Sequence, residues 1–152
     1  MNEMEICLNR LKGREEGDRQ FAYNDATGKQ VTCRPTGNLS IGIGINLEEG
    51  LDEDERIWLT THRLNKLSAQ LCQFKWYLGL DPVRRSVCLD IAFNEGERGL
   101  LHFPHMISAL AIKDWQTAKE ECKIAELTPL DKKVNQTRYI PLGEILLTGV
   151  DQ

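Results

Sequence analysis

Apolar positions recur at helical spacing over most of the chain and alternate with polar ones in a single stretch. In residues 2–15, Ile6, Cys7, Leu8 and Leu11 supply one apolar face, and Asn2 with Glu5 makes an Asn-x-x-Glu capping pair, so a helix is expected. Gly17 suits its C-terminal stop. From about 18 to 47, Phe21, Tyr23, Val31, Leu39, Ile41, Ile43 and Ile45 alternate with small or polar residues, and Gly28, Pro35, Gly37 and Asn38 punctuate them. That pattern predicts a small antiparallel sheet. Taken as a strand, SIGIGIN puts Gly42 and Gly44 on one face and the isoleucines on the other.

After Gly50 the pattern is helical. Asp52 and Glu55 form a second capping pair, followed by a helix to about Phe74 whose apolar side is read from Trp58, His62, Leu64, Leu67, Leu71 and Cys72. Asp81 then serves as N-cap and Pro82 as first residue of a helix nearly encircled by Val83, Val87, Cys88, Leu89, Ile91, Ala92 and Phe93. Such a helix belongs at the centre of a bundle. Further helices are expected over about 104–112, 114–125 and 140–147. Trp58, Trp76 and Trp115 read as core anchors. Together these elements predict an α+β fold with two lobes: a β-lobe over about 13–50, a connecting helix over about 52–74, and a helical lobe over about 80–150 that includes the N-terminal helix 2–15.

Composition narrows the chemistry. At 152 residues, with 41% hydrophobic and 28% charged, the chain suits one folded domain. Net charge is −4, without a basic block, so nucleic acid is not an expected partner. The five cysteines are scattered, with no CxxC, and the three histidines form no HExxH, so no metal or cofactor is expected. Cys72 and Cys88, among apolar neighbours, read as buried thiols. The N-terminal MNEMEICLNRLKGREEG is too charged for a signal peptide, and no apolar run reaches spanning length; an initial location in a cytoplasm without stable membrane insertion is the expectation.

One placement of acids stands out. Glu15 and Glu16 fall at the expected downstream end of the first helix, where the dipole disfavours a carboxylate by a few tenths of a kcal/mol or more. Asp25 follows in a polar turn, and Ser40 opens the Gly-x-Gly stretch. A pair of acids nine apart carries little alone in a chain with 23 of them; the context carries the signal. The combination Glu16-Gly17, Tyr23-Asn24-Asp25 and Ser40-Ile41-Gly42-Ile43-Gly44 resembles the motif of the phage-type lysozymes, glycoside hydrolase family 24. LDPVRRSVCLDIAFNEG is similar to that family's central helix, FPHMISALAIKDWQTAKEE to its following helical pair, and LLTG to its ending.

The resemblance implies a lysozyme-like fold and a muramidase, or endolysin, cleaving the β-1,4 bond between N-acetylmuramic acid and N-acetylglucosamine. By position, Glu16 takes the general acid, Asp25 its partner carboxylate and Ser40 the hydroxyl that helps hold water. Gly42 and Gly44 offer backbone to the sugar, Asn94 an amide that hydrogen-bonds saccharide, and Arg138 a contact to the catalytic glutamate. Inversion is implied, with a covalent, retaining route as the alternative. Also implied are a monomer, release through a holin to act on the periplasmic wall, and a Gram-negative host. Two departures from the motif are visible: fourteen residues, 26–39, separate Asp25 from Ser40 where the family has five, and Ser stands for Thr. Thr32 lies nearer the usual spacing but lacks the IGIG context. A catalytically degenerate glycan- or partner-binding member, a chitin-type substrate and an intracellular helical adaptor are the rival expectations.

Overall fold

Capping side chains set where most helices begin. The structure, a computed structural model, describes residues 1–13, 20–24, 29–30, 40–43 and 45–151. Helix α1 spans Glu3–Gly13. Asn2 Oδ1 accepts from the amides of Met4 and Glu5 at 3.0 and 2.9 Å, and Glu5 Oε2 accepts from the Asn2 amide at 3.0 Å. Helix α2, Glu53–Leu71, opens on the expected reciprocal box between Asp52 and Glu55. Helix α4, Pro82–Leu100, opens on Asp81 with Pro82 in its first turn. Between them lies a four-residue helix α3, Lys75–Leu78, which was not expected. Helices α5 (Pro104–Ala111), α6 (Trp115–Glu120, capped by Asp114) and α8 (Ile140–Thr148) follow near the expected places, α6 stopping five residues short of 125.

The strands are short. Strand β1 (Tyr23–Asn24) pairs antiparallel with β2 (Lys29–Gln30), and β3 (Ser40–Ile41) with β4 (Ile45–Asn46). SIGIGIN is therefore a hairpin and not one strand. It reverses at Gly42, whose φ of +62° is costly for other residues, and Ile43 at its tip is fully exposed. A Cβ on Gly42 would meet nothing within 4 Å, so sheet packing does not demand that glycine; the turn does. The class is α+β, with helix dominant.

Helix α4 is the centre of the bundle. Val87, Cys88, Leu89, Ile91 and Ala92 are buried, and α1, α2 and α8 all pack on it. Three residues expected on the apolar side of α2, Trp58, His62 and Cys72, are exposed. Trp58 is 66% exposed and stacks on His62, ring centroids 5.3 Å apart, and Cys72 is exposed. The buried stripe is Leu64, Ser68 and Leu71 at 3–4 residue spacing. Extended backwards by seven it meets Ile57, so Trp58 sits one residue, about 100°, off that stripe. Trp76 and Trp115 do pack against the core.

Residues 129–148 form one helical rod that the sequence pattern did not indicate. Helix α7, Pro129–Val134, opens on a Thr128–Asp131 capping box. It runs into a π turn, Asn135–Tyr139, closed by the Ile140 amide on Asn135 O, and then into α8. Pro141 near the junction explains the widened turn. Its ring has no N–H and crowds the carbonyl four residues back, and a π turn relieves that crowding.

Arg84 closes the far end. Its Nε donates to Leu146 O at 2.8 Å, Nη2 to Leu147 O at 3.1 Å and Nη1 to Asp81 Oδ2 at 2.7 Å, and its guanidinium lies 4.0 Å from the Trp115 ring centroid. Gly149 ends α8 at φ +70°, and a Cβ there would stand 2.6 Å from Arg84 Nη1. Gly149→Ala is expected to destabilise by more than about 1 kcal/mol, through backbone strain and displacement of that clamp. Urea unfolding checks this; an unchanged midpoint refutes it.

Burial alone raises the Asp81 carboxyl, but the hydrogen bonds from the Arg84 side chain and amide, with Arg84's charge, outweigh it and hold the group below its ordinary value of 3.8. Because the folded value is the lower one, the contribution is present above roughly pH 4 and is lost as pH falls through the folded value. Asp81→Asn should therefore lower Tm at neutral pH and show a shallower acid-side decline than the wild type. A parallel decline of both proteins would refute the assignment.

Candidate functional site

The described residues hold four of the seven positions that the sequence pointed to. Glu16, Asp25 and Gly44 lie outside them, as do Gly17, Thr32 and Cys33. Ser40 opens β3 and is exposed, and Gly42 follows in the turn. Asn94 lies on α4, exposed, and Arg138 lies half-buried in the π turn. Arg138 is thus inside a continuous helical rod rather than in a segment preceding the last helix. Among the described residues, no hydrogen bond or ion pair joins Ser40 or Gly42 to Asn94 or Arg138.

The helical positions are tied together by polar groups that the sequence reading did not name. Asp90 is fully buried on α4, one turn before Asn94. Its Oδ2 lies 3.3 Å from Arg10 Nη1, and Arg10 Nη2 donates to Ser86 Oγ at 2.7 Å. Arg10 Nε also donates to Asp151 Oδ1 at 3.0 Å. Asn94 Nδ2 donates to Asp90 O at 2.7 Å and to Asp90 Oδ1 at 3.2 Å. One acid therefore anchors the last turns of α1 and the amide of Asn94 together. A signal for it was present: Asp90 interrupts the run VCLDIAF, and an acid on a helix buried all round must be paired.

A second link lies beside the first. Tyr139, buried in the π turn, donates from Oη to Glu95 Oε1 at 2.8 Å, with its ring against Phe103. Burial raises the Tyr139 hydroxyl pKa, and the Glu95 hydrogen bond raises it further, so the phenol stays a donor. Glu95 precedes Gly96, where α4 kinks at φ +77°, ψ +166°. Arg138 and Asn94 each adjoin one partner of this bond. Two breaks in regular helix, the kink and the π turn, meet at that point.

Next to the kink, α2 and α4 bound an open depression of about 490 Å³, with Leu67, Ala92 and Phe93 as apolar lining and Arg63, Lys66 and Arg98 among its charged residues. The buried thiols among the described residues offer no nucleophile. Cys88 and Cys122 are buried, and burial pushes the Cys122 thiol up to about 12. No group of three or more metal-binding side chains occurs among the described residues. Nor is any described helix long and apolar enough to cross a membrane.

No protein-family model matches the chain, and no curated protein matches it.

Proposed function

We propose that the chain is an endolysin-type muramidase that hydrolyses the β-1,4 bond between N-acetylmuramic acid and N-acetylglucosamine in peptidoglycan. The observation that carries this reading is the run Glu16-Gly17, Asp25, Ser40-Ile-Gly-Ile-Gly, set between one helix and a second, capped one. In this proposal the fold is two-lobed and lysozyme-like, with α2 as the connecting helix and the glycan between the lobes.

The chemistry needs two carboxyl groups in opposite protonation states. A glycosidic oxygen leaves poorly unless it is protonated as the bond breaks, so Glu16 must keep its proton near neutral pH. At the helix end that the sequence predicts, the dipole would favour that state, and burial between the proposed lobes would add to it. Asp25 stays ionised, steadies the oxocarbenium-like transition state and activates a water, with Ser40 as that water's second partner. Attack from the face opposite the leaving group inverts the anomeric centre. With its net charge of −4 the enzyme lacks general attraction to an anionic wall and depends on local contacts. A holin provides the route to the wall, and no metal or cofactor takes part.

A second reading is a glycan-binding member of the same fold without turnover. The fourteen residues between Asp25 and Ser40 favour it, because they leave room for Ser40 to stand away from the acids. Purified peptidoglycan separates the two. The enzyme is expected to release products with N-acetylmuramic acid at the reducing end by mass spectrometry, first formed as the α-anomer. A first-formed β-anomer would replace inversion by a covalent route; N-acetylglucosamine ends would refute the muramidase assignment; binding without products would leave the second reading.

A further inference from the structure

We infer, building on the muramidase reading, that Asp90 is a positioning residue that fixes the polarity of Asn94, so that α4 offers the glycan a hydrogen-bond acceptor. The amide of Asn94 has two ends, and Asp90 distinguishes them. Its nitrogen end lies 2.7 Å from the Asp90 carbonyl oxygen and 3.2 Å from a carboxylate oxygen of the same residue. Rotating the amide by half a turn would bring its oxygen against both, an arrangement of acceptors facing acceptors without a proton between them. Nδ2 is thereby committed. Asn94 Oδ1 accepts nothing from any described residue, and Asn94 is exposed on the helix surface.

The group that meets Oδ1 must therefore donate. On a strand of 2-acetamido sugars the available donors are the acetamido N–H and the free hydroxyls, whereas the acetyl carbonyl and ring oxygens are excluded. Asp90 is itself held from behind, since Arg10 approaches its other carboxylate oxygen at 3.3 Å while also bonding Ser86. In Asp90→Asn, Arg10 claims the new side-chain oxygen, because a guanidinium can only donate. The new N–H then faces Asn94 and removes one of the two acceptors that hold Nδ2, leaving only the main-chain carbonyl of residue 90 to resist a turn of the amide.

The test needs kinetics and one spectroscopic measurement. On peptidoglycan strands, Asn94→Ala and Asp90→Asn should each raise KM about tenfold, with kcat within about twofold. The double variant should be no worse than Asn94→Ala alone, because the two residues act through one hydrogen bond. By nuclear magnetic resonance without substrate, one Asn94 Nδ2 proton of the wild type should exchange slowly with solvent, and that protection should fall in Asp90→Asn, where only the main-chain acceptor remains. Multiplying KM effects, an unchanged KM in either single variant, or a freely exchanging Nδ2 in the wild type would overturn the inference. If Asp90→Asn does not fold, Asn94→Ala and wild-type exchange still decide. A wild type that cleaves no glycan defeats the muramidase reading and the assigned ligand, while slow exchange would still read the fixed amide separately.

Discussion

Glu16→Gln is expected to slow clearing of purified peptidoglycan by about 10²- to 10⁴-fold, the range lost when a general acid is removed. Gln keeps the shape and hydrogen-bonding capacity of the side chain but has no acidic proton to pass to the departing oxygen. The expected loss falls on kcat, with KM little changed, because the proton moves only as the bond breaks. Glu15→Gln, one residue earlier, serves as the control and should retain wild-type activity. Equal clearing by wild type and Glu16→Gln would remove the assigned mechanism, whatever the fold.

The largest expected effect on stability comes from Arg10→Ala. Arg10 and Asp90 have side chains 12% and 0% exposed, so the pair is largely out of water. Breaking such a pair costs about 3–5 kcal/mol, because the carboxylate keeps its desolvation penalty and loses the Arg10 guanidinium. Arg10 also holds Asp151, so the substitution frees the C-terminal tail from α1 as well. The surface pairs give the contrast. Lys12–Glu53 and Lys119–Glu144 are each partly exposed on both sides, and such pairs contribute about 0–1 kcal/mol. Urea unfolding of Arg10→Ala beside Lys12→Ala compares them at once. A loss in Arg10→Ala no larger than in Lys12→Ala would show that the buried pair does not hold α1 to α4.

Where the sequence carried a physical instruction, the fold follows it. Asn2, Asp52, Asp81 and Asp114 sit at helix starts because their side chains satisfy amides that nothing else can reach, and that requirement is local. The all-round apolar run of α4 likewise admits only a central position. The four residues of α3 have no room to show a period, and α7, with no buried residue, has no apolar face to show; α6 is as short as α7 but is marked by its Asp114 cap. The hairpin at Gly42 reads as one strand in the sequence because alternation cannot tell a straight strand from one that doubles back within seven residues. Hydrophobicity alone puts Trp58 inside, whereas its phase relative to Leu64 and Leu71 puts it outside, where it lies.

The proposed site rests on a different kind of signal. Its acids are recognisable by where they fall in the chain, not by any local pattern of their own. The polar pairs beside Asn94 and Arg138, Asp90 with Arg10 and Tyr139 with Glu95, are separated in sequence by 80 and 44 positions. No window of sequence brings them together. Only Asp90 announced itself, as a charge in an apolar run.

The π turn at 135–139 has a consequence for reading this chain against others. It holds one residue more than an ordinary helical turn, so the faces of α7 and α8 are out of phase by about 100°. An alignment with a regular-helix counterpart needs a one-residue gap inside a helix, where gaps are normally forbidden. Deleting one residue there would rewind the rod and swing Arg138 away from the partner its neighbour Tyr139 holds.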